Sequence, residues 1–248
     1  MVSLLFMMYN QNKEEQSEND EQTAEEKDNG EKDADQQKVY WGVDAAGEVD
    51  EQLYQCVTEN FGDPEVFGRY LGEIEDVAVA LNQDEVSFLH DQDVKILVIY
   101  NLIPDATTFD AGVEHAERAI ELAKELDIPE GITIFGDIEP DFPVDSAFIE
   151  GWHETLDDSP YVPALYGVFD EESDLVTAYN DTDDKVQKST IVWTAYPQRD
   201  ISSKDNAPKY EAQGPEHAKI YGWQYAIEAD SCEIDTNLFL EEMLDYVW

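Results

Sequence analysis

Basic side chains are scarce: 14 Lys or Arg stand against 59 Asp or Glu, a formal net charge of −45 over 248 residues. So acidic a chain repels phosphate backbones and anionic headgroups, which excludes nucleic acid and an anionic lipid surface as partners held by simple electrostatics. Histidine and cysteine are equally sparse. His90, His115, His153 and His217 show no metal-type spacing, and Cys56 and Cys232 lie too far apart for a zinc knuckle, so no metal and no other cofactor is expected. Residues 180–184, "NDTDD", lack the glycine and terminal glutamate of a calcium loop and read as a solvated turn. A G-x-S-x-G elbow, a Walker loop and a glycine-rich phosphate loop are all missing, as is any internal repeat. Long apolar runs are missing too. The opening "MVSLLFMMY" is too short to span a bilayer and has no basic residues before it, so it reads as the remnant of an export signal or as an anchor. Membrane contact is expected through that segment alone.

Between Gln11 and Lys38 the chain carries eleven acidic residues, four lysines and almost nothing apolar. Such a tract cannot bury enough surface to offset the entropy of ordering, and a disordered spacer is expected. The spacer accounts for only part of the charge, so the folded surface must itself be acidic. High salt, which shortens electrostatic reach to about 3 Å at 1 M, makes such a surface tolerable and points to an exposed, extracytoplasmic life. The organisation expected is residues 1–38 as apolar segment and spacer, and 39–248 as one domain. With 42% hydrophobic residues, that length can bury a substantial core.

From Val39 short apolar runs alternate with amphipathic ones. Strands are expected at "VYWGVDAA", "EVFGRYLG", "VKILVIYN", "GITIFGDIE", "YVPALYGVF", "STIVWTAYP" and "AKIYGWQYA". Helices are expected at "DEQLYQCVTENFG", "NQDEVSFLHDQ", "DAGVEHAERAIELAKELDI", "DSAFIEGWHETLDD", near "EESDLVTAYND" and at the terminal "NLFLEEMLDYVW". Seven strands alternating with helices imply a parallel α/β sheet, closed as an irregular or incomplete (β/α)8-type TIM barrel. An open doubly wound sheet is the second architecture compatible with the pattern. The two cysteines are either small buried thiols or, in an exported chain, a disulfide. Closure of the barrel makes its first and last units neighbours, and a bond from Cys56 in the first helix to Cys232 after the last strand is expected on that ground.

In parallel barrels the working residues stand at the C-terminal ends of strands. Those ends carry Asp44, Arg69, Tyr70, Asn101, Asp137, Glu139, Tyr196, Trp223, Gln224 and Tyr225, with Asp235 just beyond. Strand side chains alternate, so Asp137 and Glu139 face one side about 6 to 7 Å apart. Two acids in unlike surroundings, one desolvated and protonated and one ionised, are what acid–base glycoside cleavage requires, and Trp and Tyr faces suit sugars. Plainer roles stand beside these. Strand-end acids cap helices, Arg69 is a salt-bridge partner as readily as a substrate contact, and "GWQY" reads equally as core packing.

The motifs "WGVD", "YQCVTENFG", "FGRYLG", "SFLH", "VIYN" and "GWQYAIEADSCEIDTNLF" resemble the glycoside-hydrolase-like TIM-barrel domain of secreted or surface bacterial proteins. The resemblance runs from Tyr40 to Phe239. That domain is similar to the family 25 glycoside hydrolases, lysozymes that cleave between N-acetylmuramic acid and N-acetylglucosamine. By that resemblance Glu139 is the proton donor of a D-x-E pair with Asp137, Asp44 is the first-strand aspartate, and Asp235 is the acid that follows the W-Q-Y strand. Two departures are visible: Ala46 stands where the lysozymes have the serine of D-x-S, and Asn101 follows Tyr100 where they have histidine. The function so implied is hydrolysis of peptidoglycan or another extracellular polysaccharide by paired carboxylates, at the cell surface or outside it. The alternative is a glycan-binding or surface-interaction module that keeps the acidic bowl without turnover.

Overall fold

The computed structural model describes residues 37–196 and 198–248, and the chain divides into Met1–Lys38 and Val39–Trp248. The apolar opening and, apart from its last residues, the acidic tract lie outside the described residues. Eight strands close into a barrel in chain order. They are β1 (Val39–Asp44), β2 (Val66–Tyr70), β3 (Lys95–Tyr100), β4 (Thr133–Ile138), β5 (Val162–Gly167), β6 (Ile191–Thr194), β7 (Lys219–Ala226) and β8 (Asp235–Leu240). Between them run α1 (Glu51–Asn60), α2 (Gln83–Asp91), α3 (Phe109–Glu125), α4 (Ser146–Asp157), α5 (Asp174–Asn180) and α6 (Asp184–Ser189). Every α-helix among the described residues opens on a side chain that accepts a hydrogen bond from the first turn: Asp50, Asn82, Thr108, Asp145, Ser173 and Asp183. These caps satisfy donors that a helix start otherwise leaves bare. The "NDTDD" stretch is the α5–α6 junction, with Asp183 as its cap.

Two expectations are corrected. The terminal "NLFLEEMLDYVW" is not an α-helix: its first residues belong to β8, and Glu241–Asp245 is a 3₁₀ turn. Nor is the sheet wholly parallel, because β8 runs antiparallel to both β1 and β7. The physical reason is non-local. Both edges of β8 find ladder partners, and its alternation buries Asn237 and Phe239 on one face and Thr236 and Leu238 on the other. Such pairing overrides a local helical preference. Beyond β6 the helical alternation lapses, and among the described residues a 3₁₀ turn, Lys204–Asn206, is the one helical element before β7.

The lumen is packed with Val66, Leu97, Ile99, Phe135, Ala164, Ile191, Trp193 and Phe239. Met243 and Val247 join this cluster from the C-terminal turn. That turn seals the end where the parallel strands begin: Trp248 and Ile96 exchange backbone hydrogen bonds, and the backbone N–H of Thr133 donates to the carbonyl of Tyr246 at 2.9 Å. One end of the barrel is thus closed by apolar side chains, and the opposite end, where β1 to β7 finish, is left for chemistry. Cys56 on α1 and Cys232 between β7 and β8 are joined as a disulfide with Cα atoms 5.7 Å apart.

Helices α3 and α4 cross at two glycines. A Cβ on Gly112 would stand 2.2 Å from the carbonyl oxygen of Phe148, and one on Gly151 would stand 2.3 Å from that of Phe109. Since backbone cannot yield as a flexible side chain can, Gly151→Ala should cost about 1 to 3 kcal/mol, as overpacking does. A denaturant midpoint equal to that of the unmodified protein would show that the helices are free to separate.

Candidate active site

Alternation along each strand decides which side chains enter the open end. Phe135 lies in the lumen cluster, so Asp137 and Glu139, two and four residues on, follow it inward. By the same parity Asp44 follows Gly42, whose Cβ position abuts the Phe239 ring, and Tyr70 follows Val66 and Gly68. Asp235 shares a face with Phe239 and stands opposite Asp44 in the β1–β8 register. The four acids Asp44, Asp137, Glu139 and Asp235 therefore converge, with Tyr70 among them.

Their surroundings differ. Asp44 is buried and accepts three short contacts, from Asn237 Nδ2 at 2.6 Å and from Gln224 Nε2 at 3.1 and 3.3 Å. Burial pushes its pKa up to about 6, while the two amides and the positive charge of Arg69 oppose the rise. Asp235 accepts from Gln224 Nε2 at 3.2 Å and from the backbone N–H of Glu228 at 2.6 Å; burial and the neighbouring Asp44 still drive its pKa well up. Asp137 is 6% exposed, and its Oδ1 has no hydrogen-bond partner. Burial, then Glu139 and Asp44, raise its pKa well above the ordinary carboxylate range. Glu139 is half-buried, with a pKa pushed up to about 7 by burial, Asp141 and Asp44.

Several residues singled out from sequence as substrate contacts are elsewhere. Arg69 alternates with Gly68 and Tyr70, so it leaves the barrel wall on the outer side and is fully buried there. Its Nε pairs with Glu85, its Nη1 donates to the carbonyl of Ala45 at 2.5 Å, and its Nη2 donates to that of Val79 at 3.0 Å. Trp223 and Tyr225 also point outward, into the packing between barrel and loops, where Trp41 Nε1 donates to the Tyr225 hydroxyl at 3.1 Å. Only Gln224 of that triplet faces the lumen, and its amide is committed to the acids and to Tyr166. The Asn101 amide clamps Gly72, accepting from its N–H at 2.9 Å and donating to its carbonyl at 3.0 Å. Tyr196 lines a separate cleft of about 650 Å³ with Phe169, Tyr210 and Tyr221, and none of the four acids lines it.

Two residues of the site escaped the sequence reading. Tyr166 on β5 faces inward, and its hydroxyl donates to Gln224 Oε1 at 2.7 Å; the alternation Val162, Ala164, Tyr166 would have exposed it. Asn237 accepts from Trp193 Nε1 at 2.9 Å and donates to Asp44. It was hidden because its segment reads as a helix. Among the described residues no group of three or more His, Cys, Asp or Glu is placed to hold a metal ion, and no helix is long and apolar enough to cross a membrane.

The chain belongs to the Rv2525c-like, glycoside hydrolase-like domain family, which matches residues 63–238. Asp137, Glu139 and Asp235 fall inside that span, and Asp44 precedes it. An uncharacterized protein of B. stearothermophilus is similar at 35% identity and a TM-score of 0.82, covering 84% of this chain and 100% of that one. The Tat-secreted protein Rv2525c of Mycobacterium tuberculosis, in complex with HEPES, superposes with a TM-score of 0.54 at 14% identity over 81% of this chain and 95% of its own. The modular autolysin LytC of Streptococcus pneumoniae, in complex with a synthetic peptidoglycan ligand, gives 0.53 at 16% identity over 81% of this chain and 46% of its own. At such identities the last two share the fold alone. No curated protein matches the chain.

Two tests follow from this geometry. Arg69→Met removes one partner of a wholly buried ion pair and strands Glu85, which should cost about 3 to 5 kcal/mol in a urea titration. A change within experimental error would mean that the Arg69–Glu85 pair does not hold the loops in place. The second test concerns pH. Asp44 and Glu139 have folded pKa values above their ordinary ones, so the stability they contribute is complete below about pH 4 and is lost as pH rises through about 6 to 7. Glu139→Gln should accordingly leave the melting temperature nearly unchanged at pH 4 and raise it at pH 8. An equal offset at both values would mean that Glu139 titrates as in water.

Proposed function

We propose that the acidic end of the barrel is a glycan site and that the protein hydrolyses a cell-wall or other extracellular polysaccharide outside the cytoplasm. The observation that carries the reading is the unequal setting of converging carboxylates. Glu139 keeps its proton to about pH 7, and Asp44 is held at about 6 by Asn237 and Gln224. Glu139 would donate its proton to the glycosidic oxygen as the bond to the anomeric carbon breaks. The ionised Asp44 would face the positive charge that develops on the sugar. A water oxygen then bonds to the anomeric carbon, and its proton passes to a carboxylate. The family membership, the disulfide and the acidic composition support an exported wall-active role; Rv2525c is Tat-secreted, and LytC was solved with a peptidoglycan ligand.

A second reading is favoured by one observation. Asn101 occupies the position where the resembling lysozymes carry histidine, and its amide is spent on Gly72. On that reading the bowl binds glycan without cleaving it.

Release of reducing ends from purified peptidoglycan separates the two. Turnover should peak between about pH 6 and 7, falling below as Asp44 gains a proton and above as Glu139 loses one. Glu139→Gln should lower it by about 10²- to 10⁴-fold with folding intact. If no wall glycan releases reducing ends while one is bound with an affinity that Glu139→Gln leaves unchanged, the hydrolase reading falls and the binding module stands.

A further inference from the structure

An amide side chain offers a neighbouring carboxylate either donors or an acceptor, depending on which way round it sits. One orientation favours the charged form of the acid, and the other opposes it. The two amides beside Asp44 are held by different kinds of partner. Gln224 Oε1 accepts from the Tyr166 hydroxyl at 2.7 Å, and a hydroxyl can accept as well as donate, so a reversed amide could keep that contact. Asn237 Oδ1 accepts from Trp193 Nε1 at 2.9 Å, and an indole N–H only donates. A reversed Asn237 would set its N–H groups against the indole N–H and its carbonyl oxygen against Asp44, with no hydrogen bond at either contact while Asp44 is ionised. The indole is itself fixed by packing. Trp193 is 1% exposed, its ring centroid lies 4.2 Å from that of Tyr166, Phe135 meets it edge-on at 5.9 Å, and a Cβ on Gly222 would stand 2.8 Å from its Cδ1.

We infer that Trp193 is a positioning residue of the site: its indole N–H fixes the direction of the Asn237 amide and through it keeps a donor on Asp44. The inference deepens the glycan-site reading above and rests on it for the part Asp44 plays in turnover. The donor matters because of what else faces that acid. Asp235 stands opposite it on β8, Asp137 and Glu139 act on it from β4, and Tyr70 and Tyr166 approach from β2 and β5. Against burial and these groups stand Arg69, behind the wall, and the amides of Gln224 and Asn237. Of the two amides, Asn237 makes the shorter contact, 2.6 Å, and is the one whose partner forbids reversal.

The experiment follows the carboxyl carbon resonance of Asp44 by NMR from about pH 3 to about pH 9, with Asp44→Asn to assign it. Trp193→Phe keeps an aromatic ring and removes the N–H, which frees Asn237 to reverse. The Asp44 midpoint, about 6 in the unmodified protein, should then rise by about one pH unit or more. Asn237→Leu removes donor and acceptor together and should raise it as well. If Trp193 acts through Asn237, the double variant matches Asn237→Leu alone. A further rise in the double variant would assign the effect to lost packing and overturn the inference, as would an unmoved midpoint in Trp193→Phe. Should Trp193→Phe fail to fold, benzothienylalanine at that position keeps the bicyclic outline with sulfur in place of the N–H, and its Asp44 midpoint decides in the same way. The titration needs no glycan. Its failure therefore leaves the glycan-site reading standing, whereas absence of both glycan binding and reducing-end release would overturn that reading and leave the positioning of Asp44 by Trp193 intact.

Discussion

Gln224 bridges two carboxylates that the fold forces together. Closing the barrel through β8 sets Asp235 opposite Asp44 in an antiparallel ladder, where two ionised carboxylates would oppose pairing, and the pKa values of both are raised accordingly. The Gln224 Nε2 group donates to both, and Asn237 adds a further donor to Asp44 from β8 itself. These amides belong to the strands that make the seam, so the contacts that tolerate the charge also join β7, β8 and β1. Behind them Trp193 fixes Asn237 from below, and Tyr166 fixes Gln224 from the side. The network is satisfied at nearly every atom, as a buried polar network must be to avoid a net cost. The orphaned oxygen of Asp137, across the bowl on β4, is therefore the exception in a well-supplied site.

Among the described residues Arg69 is the one buried Lys or Arg, and it is placed to support this rim without entering it. Arg69 leaves β2 outward, and its guanidinium ties the carbonyl of Ala45, just after Asp44, to that of Val79 in the next connection. Its partner Glu85 also accepts from the backbone N–H of Val49 at 3.0 Å. One ion pair thus fixes the loops that follow β1 and β2. From that position it lowers the cost of ionising Asp44 while leaving the lumen uniformly acidic. A base inside the bowl would have neutralised the carboxylates; a base in the wall biases only the nearest one.

Much of this was legible in the chain. The strand–helix alternation from Val39 pointed to a closed barrel ahead of an open doubly wound sheet, and period two placed Asp137 and Glu139 on one face, because both signals are local. What failed was longer in range. The same parity rule applied to "GWQY" would have kept Gln224 and released Trp223 and Tyr225 to the outer layer, but aromatics near a strand end read equally as sugar platforms or as packing. The β8 segment misled for a firmer reason: "LFLEEML" suits a helix locally, and only partners on β1 and β7 make it a strand. Asn237 went unseen with it. The orientation of Arg69 was readable from its neighbours Gly68 and Tyr70, whereas its partner Glu85 sits on a helix that no motif connects to it.

The connection from β7 to β8 shows how the seam is held against its own charge. Glu228, Cys232 and Glu233 all adopt positive φ, which costs a side-chain-bearing residue conformational energy. The same segment supplies the Glu228 N–H that Asp235 accepts. The Cys56–Cys232 bond ties it to α1, the helix that follows the strand carrying Asp44. The crosslink spans 176 residues, so it also removes much of the unfolded chain's freedom, about 5 kcal/mol in the loop-entropy account. Covalent restraint therefore lies on the connection that carries Asp235 to its place opposite Asp44, so the amides of Gln224 and Asn237 orient those acids and are joined by a disulfide in holding the seam.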